Sequence, residues 1–397
     1  MNISDSQTFC PAPWTHIRLG TKDSMGICPY SPDLENNTDS TIDIASNRTV
    51  IEIKDSIKNE QWHHNCSYCQ KAETNGGRSE RLMYVKVLEP EVKKQIDEQP
   101  EKNYIESASI NLDNLCNLSC NYCNPTTSTQ WMKVLGIPVA LARTQNSNLD
   151  FLLSNRKNLK HLMIGGGEPL LQKGIYQLLS NLLHDRKIFV FITTNLSIDL
   201  EKNLVFDSII NNPSIETIWM ISFDGLGDKF EYVRHGAVWE QFKRNIYTLK
   251  KYNQKIVAHP AYSLYSAFDL VKYYDFCDSM DLDVFWCDLF DPIELDIRHA
   301  PESIRQLAIE NIDAVLEKFK DRKNLSLDTL IEYRKMAQIG IPTNKKMPAN
   351  TILTLTDYQR SVNILAFNSR IEQLMSKSKS FEQLWPDVFN KLKEHTK

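Results

Sequence analysis

Long hydrophobic runs are missing from this 397-residue sequence. Its longest apolar stretches, Ile188 to Thr193 and Ile218 to Phe223, are far too short for a bilayer-spanning helix. The opening MNISDSQTFC lacks the basic-then-apolar layout of a secretory signal, so a cytoplasmic location is expected. An excess of charge is missing too. Forty-six Lys and Arg stand against 50 Asp and Glu, a net charge of -4 with no basic stripe, which disfavours nucleic acid as an obligatory partner. The nine histidines include no HxH or HExxH pair. There is no low-complexity tract and no repeat longer than a βα unit. Cysteine is not scarce, but its nine copies are odd in number, and in a reducing compartment they are metal ligands or core residues rather than a disulfide framework.

What is present is a composition of 42% hydrophobic and 24% charged residues, enough for one large domain and a smaller one. From Ile105 onward, short β-rich runs alternate with helical periodicity, the pattern of βα units in a parallel sheet. Strands are expected at Ile105 to Leu112, Leu159 to Ile164, Ile188 to Thr194, Thr217 to Phe223, Ile256 to Ala261 and Leu282 to Asp288. Several are apolar nearly throughout, as strands covered on both faces should be. Between them Ile175, Leu178, Leu179, Leu182 and Leu183 share one helical stripe, and Trp239, Phe242, Ile246 and Leu249 another. The expected fold class is α/β, a partial (β/α)6 barrel. Residues 1–100 read as a small turn-rich domain carrying Cys10, Cys28, Cys66 and Cys69, residues 101–297 as the barrel, and residues 298–397 as a helical, chemically quiet extension.

The run CNLSCNYCNP places Cys116, Cys120 and Cys123 at spacings of four and three, among Asn and Ser just past an apolar strand. Thiolates select zinc or iron-sulfur clusters, and a zinc site is ordinarily closed by a fourth nearby Cys or His. No fourth ligand follows. Three cysteines on a four-iron cluster leave one iron open, where a small molecule can bind and receive an electron. With Tyr122 before the third cysteine, the run resembles the CxxxCxΦC loop of the radical S-adenosylmethionine superfamily. IGGGEPLL, Ile164 to Leu171, resembles the GGEP motif of the same superfamily. The resemblance implies that Gly166, Gly167, Glu168 and Pro169 lie at the amino group of S-adenosylmethionine. Glycine permits close backbone approach and a carboxylate satisfies an ammonium. By itself GGGEP could be a tight strand-to-helix turn.

ITTN, ending at Asn195, and ISFDG, with Ser222 and Asp224, resemble the third and fourth strand ends of that family, near ribose or substrate. Helix capping is an equal alternative for Ser222 and Asp224. YVRHG offers Arg234 as a partner for a carboxylate, against the alternative of a solvated arginine, and with the resemblance Asp224 and Arg234 are the expected catalytic residues. CPAPW, GICPY and CSYCQKAE supply Cys10, Cys28, Cys66 and Cys69, which a zinc ribbon would use equally well. With GGRSERLM after them, they resemble the N-terminal twitch domain of a subfamily related to SPASM proteins, which binds one auxiliary cluster. His63 or His64 could replace one of these cysteines. Cys277 and Cys287 read as packing residues.

The resemblance thus implies a [4Fe-4S] cluster, S-adenosylmethionine, and an auxiliary iron-sulfur cluster, most simply [4Fe-4S]. It implies an oxidoreductase or maturase-type enzyme that makes a 5'-deoxyadenosyl radical and oxidises or crosslinks a peptide or small-molecule substrate. An external electron donor such as flavodoxin or ferredoxin and no membrane partner are expected with it. From another class, the alternative is a non-catalytic iron-sulfur or zinc protein in electron transfer or metal-dependent scaffolding. No separate peptide-leader-binding domain is apparent in the sequence.

Overall fold

A computed structural model describes residues 2–21, 24–34, 44–74, 79–139, 147–182, 187–289, 291–322, 327–340 and 355–397. Gly76 to Arg78 of the GGRSERLM run lie outside these residues. The architecture is α/β with a mainly parallel main sheet. The chain divides into two compact units, residues 1–115, 140–192 and 204–217 in the first and 116–139, 193–203 and 218–397 in the second. Among the described residues no helix is long and apolar enough to cross a membrane.

The first unit is built on strands β1 (His16–Leu19), β2 (Met25–Gly26), β3 (Ser107–Ile110), β5 (His161–Ile164) and the body of β6 (Ile188–Thr194). β1 pairs parallel with β3 and antiparallel with β2, while β3, β5 and β6 follow one another in parallel. The expected strands at Ile105 and Leu159 are therefore present but shorter, and that at Ile188 has its expected bounds. β1 was not expected. It is short and carries His16 and Arg18, so it lacks an apolar signature, yet Ile17 and Leu19 are buried. Burial alternates along β3, β5 and β6 rather than being continuous: in β6, Ile188, Val190 and Ile192 are buried and Phe189 is exposed. One face is dry, and the helix Lys173–Ser180 buries Ile175, Leu178 and Leu179 completely, as their helical spacing requires.

The second unit holds the end of β7 (Ile215–Ile221), which pairs in parallel with β9 (Lys255–Ala258), itself parallel to β11 (Asp283–Val284). The expected strands Ile256 to Ala261 and Leu282 to Asp288 each break in two. β10 (Ala261–Tyr262) and β12 (Cys287–Asp288) form a separate parallel pair. Pro260 has no N–H to give, which interrupts the first ladder between β9 and β10. A further short pair, β4 (Ser119–Cys120) and β8 (Arg234–His235), is antiparallel. Phe223, Phe230, Trp239, Phe242 and Tyr273 form an aromatic core beside them, with centroids of Phe223 and Phe242 5.1 Å apart. The C-terminal helices dock on this unit: the Trp385 indole N–H donates to the Tyr265 carbonyl at 3.2 Å.

Candidate metal and cofactor site

In the second unit, the loop carrying Cys116, Cys120 and Cys123 is held by the start of the helix that follows it. Ser128 caps the helix Thr129–Val134 and its hydroxyl donates to the Leu118 carbonyl at 2.6 Å. The Thr129 hydroxyl accepts from the Cys116 N–H and donates to the Cys116 carbonyl. The Trp131 indole N–H reaches the Cys120 carbonyl at 2.8 Å. Cys116 and Cys120 are buried and Cys123 half-buried.

The sulfurs sit among donors. Cys116 Sγ accepts from the Leu118 N–H at 3.4 Å and faces the Asn195 amide at 3.8 Å. Asn195 also donates to Asn117 and accepts from Ser197, so it ties its own strand end to the loop. Cys120 and Cys123 share a hydrogen bond, which holds the Cys120 thiol below its ordinary range and pushes Cys123 well above it. The Arg234 and Lys377 cations also favour the Cys120 thiolate. Burial lowers Lys377 to about 8.

Arg234 is not solvated. Its side chain is 8% exposed and its Nε donates to Asp224 Oδ2 at 2.8 Å, with Asp224 fully buried. Asp224 caps no helix: Oδ2 also accepts from the Tyr122 hydroxyl at 2.8 Å, and Oδ1 accepts from the Ala261 N–H at 2.7 Å. Ser222 is buried at the end of β7, its N–H on the Thr194 carbonyl. Cys277 is fully buried in a helix, and Cys287 donates to the Pro260 carbonyl with its thiol pushed up to about 12 by burial. The C-terminal helices reach this loop by packing. Ile371 and Met375, from the helix Asp357–Met375, pack with Trp131 in a small core that Cys123 joins, and Ser119 Oγ lies 3.5 Å from Met375 Sδ.

The Gly166–Pro169 turn belongs to the first unit and is built onto the chain just before Cys116. Gly167 has φ +43°, and a Cβ there would stand 2.4 Å from the Leu115 carbonyl oxygen. That same carbonyl accepts the Glu168 N–H at 2.7 Å. Glu168 is fully buried and its Oε1 accepts from the Leu170 N–H, capping the short helix Pro169–Leu171.

Also in the first unit, Cys10, Cys28, Cys66 and Cys69 line one cavity of ≈ 40 Å³. Nearby backbone N–H groups favour the thiolate at three of the four cysteines, those of Ala12 at Cys10, of Tyr30 and Ser31 at Cys28, and of Arg81 and Glu80 at Cys69, but burial outweighs them. Burial raises all four thiols, Cys66 to about 12. The Tyr84 hydroxyl in the same wall is buried with no hydrogen-bond partner among the described residues. Arg81 is locked to Glu73 by two N–H bonds and to the Phe9 carbonyl. His63 accepts from the Asn65 N–H through Nδ1 and shares the cavity wall. Among the described residues no group of three or more His, Cys, Asp or Glu side chains stands where it could hold a metal ion. In donor type both groups fit a thiolate-ligated centre: soft sulfur, N–H donors aimed at it, and few competing acceptors.

Residues 110–264 match the model of the Radical SAM superfamily. The chain is 38% identical over 91 residues to the 7-carboxy-7-deazaguanine synthase of Clostridium acetobutylicum, a segment covering 23% of this chain and 38% of that protein. It is 30% identical over 98 residues to the probable GTP 3',8-cyclase of Methanococcus vannielii, covering 25% of this chain and 31% of that protein. The matches thus span well under half of those relatives' length. Among solved structures, Streptococcus suis SuiB bound to S-adenosylmethionine aligns with TM-score 0.43 and 16% identity over 68% of this chain and 63% of that one. For anSMEcpe with bound AdoMet the figures are 0.41, 17%, 55% and 63%. Residues 110–264, the part of the chain that matches the Radical SAM model, carry both the cysteine loop and the glycine turn.

Proposed function

We propose that this chain is a radical S-adenosylmethionine enzyme in which Cys116, Cys120 and Cys123 hold a [4Fe-4S] cluster. What carries the reading is the loop itself: three cysteines on one short segment, without a fourth Cys or His in the loop. Bound together, the cluster and S-adenosylmethionine supply reductive cleavage to methionine and a 5'-deoxyadenosyl radical, which removes hydrogen from a substrate carbon. The chain's part is to bind and orient. Gly166, Gly167, Glu168 and Pro169 receive the methionyl amino group, with the Glu168 carboxylate already desolvated and oriented by the Leu170 N–H. Tyr122, Asn195 and Ser222 lie on the cofactor side, and Asp224 with Arg234 fixes the loop from behind.

Cys10, Cys28, Cys66 and Cys69, in residues 1–100 as a twitch-like domain, hold an auxiliary iron-sulfur centre that takes up the electron left on the substrate. The net result is oxidation or crosslinking of a peptide or small molecule, with a flavodoxin- or ferredoxin-type donor supplying the first electron. Residues 298–397 form the helical extension. The test is anaerobic. Reconstituted protein with dithionite and S-adenosylmethionine should release 5'-deoxyadenosine, and the triple C116A/C120A/C123A variant should release none while keeping the other metal. Retained cleavage in the variant, or none in iron-loaded wild type, would overturn the assignment.

A further inference from the structure

A buried ion pair beside the cysteine loop calls for an explanation beyond stability. Arg234 and Asp224 are almost completely removed from water. Such pairs contribute little net stability, and well-packed apolar residues of similar volume often do as well or better. The pair is also oriented. Cys120 and Arg234 face each other across the two-residue ladder of β4 and β8, which brings Arg234 Nη1 to 4.0 Å from Cys120 Sγ. The guanidinium turns its Nε toward Asp224 and its Nη1 toward the sulfur. The Asp224 carboxylate is fastened by three donors, Arg234 Nε, Tyr122 Oη and Ala261 N, so it cannot swing toward the loop. The Tyr122 ring lies under the guanidinium, 5.5 Å from its centroid, and closes the remaining side. The result is a fixed positive end against one sulfur, with its counter-charge set behind it. Of the two charges, the arginine acts more strongly on Cys120.

We propose that Asp224 and Arg234 are positioning residues that set the reduction potential of the cluster ligated through Cys120. This inference rests on the reading that Cys116, Cys120 and Cys123 hold that cluster. Its physical basis is simple. One electron from an external one-electron donor adds one negative charge to the centre; no bond forms or breaks. A cation held at the ligand sulfur favours the more negative state, and charge and hydrogen bonding at the sulfurs are established determinants of iron-sulfur potentials. Removing the cation should lower the potential, and removing its carboxylate counter-charge should raise it.

The experiment is a redox titration of reconstituted full-length protein with dithionite as reductant. It follows the electron-paramagnetic signal that is absent from C116A/C120A/C123A. R234M should make reduction about tenfold less favourable, about 59 mV for one electron. R234K, which keeps the charge, should stay within roughly threefold of wild type, and D224N should shift the other way from R234M. Should R234M hold no iron, D224N and Y122F read the same quantity: Y122F leaves the carboxylate less neutralised and should lower the potential while D224N raises it. Opposite shifts with full iron support the proposal. Unchanged potentials, or shifts in the same direction, overturn it and leave the pair as a fastening of the loop. If the triple variant retains all the iron and signal of wild type, it is the ligand assignment that has failed instead.

Discussion

The two cysteine groups are lined in different ways. Around Cys116, Cys120 and Cys123 the neighbours are side chains with charge or dipole: Arg234, Lys377 and the Asn195 amide. Around Cys10, Cys28, Cys66 and Cys69 the sulfur donors are mainly backbone N–H groups, in a largely apolar cavity where burial raises every thiol. A pocket of raised thiols with fixed N–H donors suits a permanent, closed centre that the fold is built around. A loop with charge fixed beside one sulfur suits a centre whose potential that charge sets. The difference lies in the lining, since both groups are cysteine sulfurs.

The strongest way to break this comparison is to empty the cavity. The C10A/C28A/C66A/C69A variant should lose its share of metal, leaving about four irons per chain where wild type carries about eight, and should melt well below wild type. About four irons plus one zinc in wild type would identify a zinc ribbon instead. Metal analysis with a melting curve reads both. A variant with wild-type melting would show that the cavity is not built around its metal.

A smaller effect is expected where the glycine turn meets Leu115. Gly167→Ala combines a positive φ with a backbone collision and should cost roughly 2–5 kcal/mol. Gly136→Ala, also at positive φ but with nothing within 4 Å, carries the conformational strain alone, about 1–2 kcal/mol. Urea titrations compare them. Because Leu115 precedes Cys116, the Gly167 variant should also bind iron less tightly at the loop than at the four-cysteine cavity. Equal losses in the two alanine variants would mean that Leu115 yields freely.

The smallest effect sharpens the comparison through acid. His16 in β1 is wedged between the Ser107 and Ser109 hydroxyls at 2.8 and 3.0 Å, and burial lowers its pKa to about 3. The folded state therefore keeps it neutral while the unfolded chain takes up a proton below about 6.5. Its contribution is intact above that pH and falls as pH drops from there toward 3, by at most about 1.4 kcal/mol per pH unit. Denaturation at pH 7 and pH 5.5 should show His16→Asn less acid-sensitive than wild type. Equal sensitivity would assign the loss to other groups.

Local patterns made much of this readable in the sequence. Six strands of the main sheet announce themselves as short apolar runs, and the cysteine spacing and GGGEP are contiguous. What escaped was long-range. β1 and β8 are too short and too polar to signal strands, so neither the pairing of His16 with Ser107 nor that of Cys120 with Arg234 could be seen. Arginine is ordinarily exposed, which hid the burial of Arg234. Met375 meets Trp131 across roughly 250 residues, a contact with no local signature.

That last contact also sets a clock. At about 5–20 residues per second, the stretch from Trp131 to Met375 takes on the order of ten to fifty seconds to be synthesised. Throughout that interval the nascent cysteine loop lacks its cover. The order of the sequence therefore leaves a period in which the three thiols can be reached before the helix Asp357–Met375 packs on the flank of the loop.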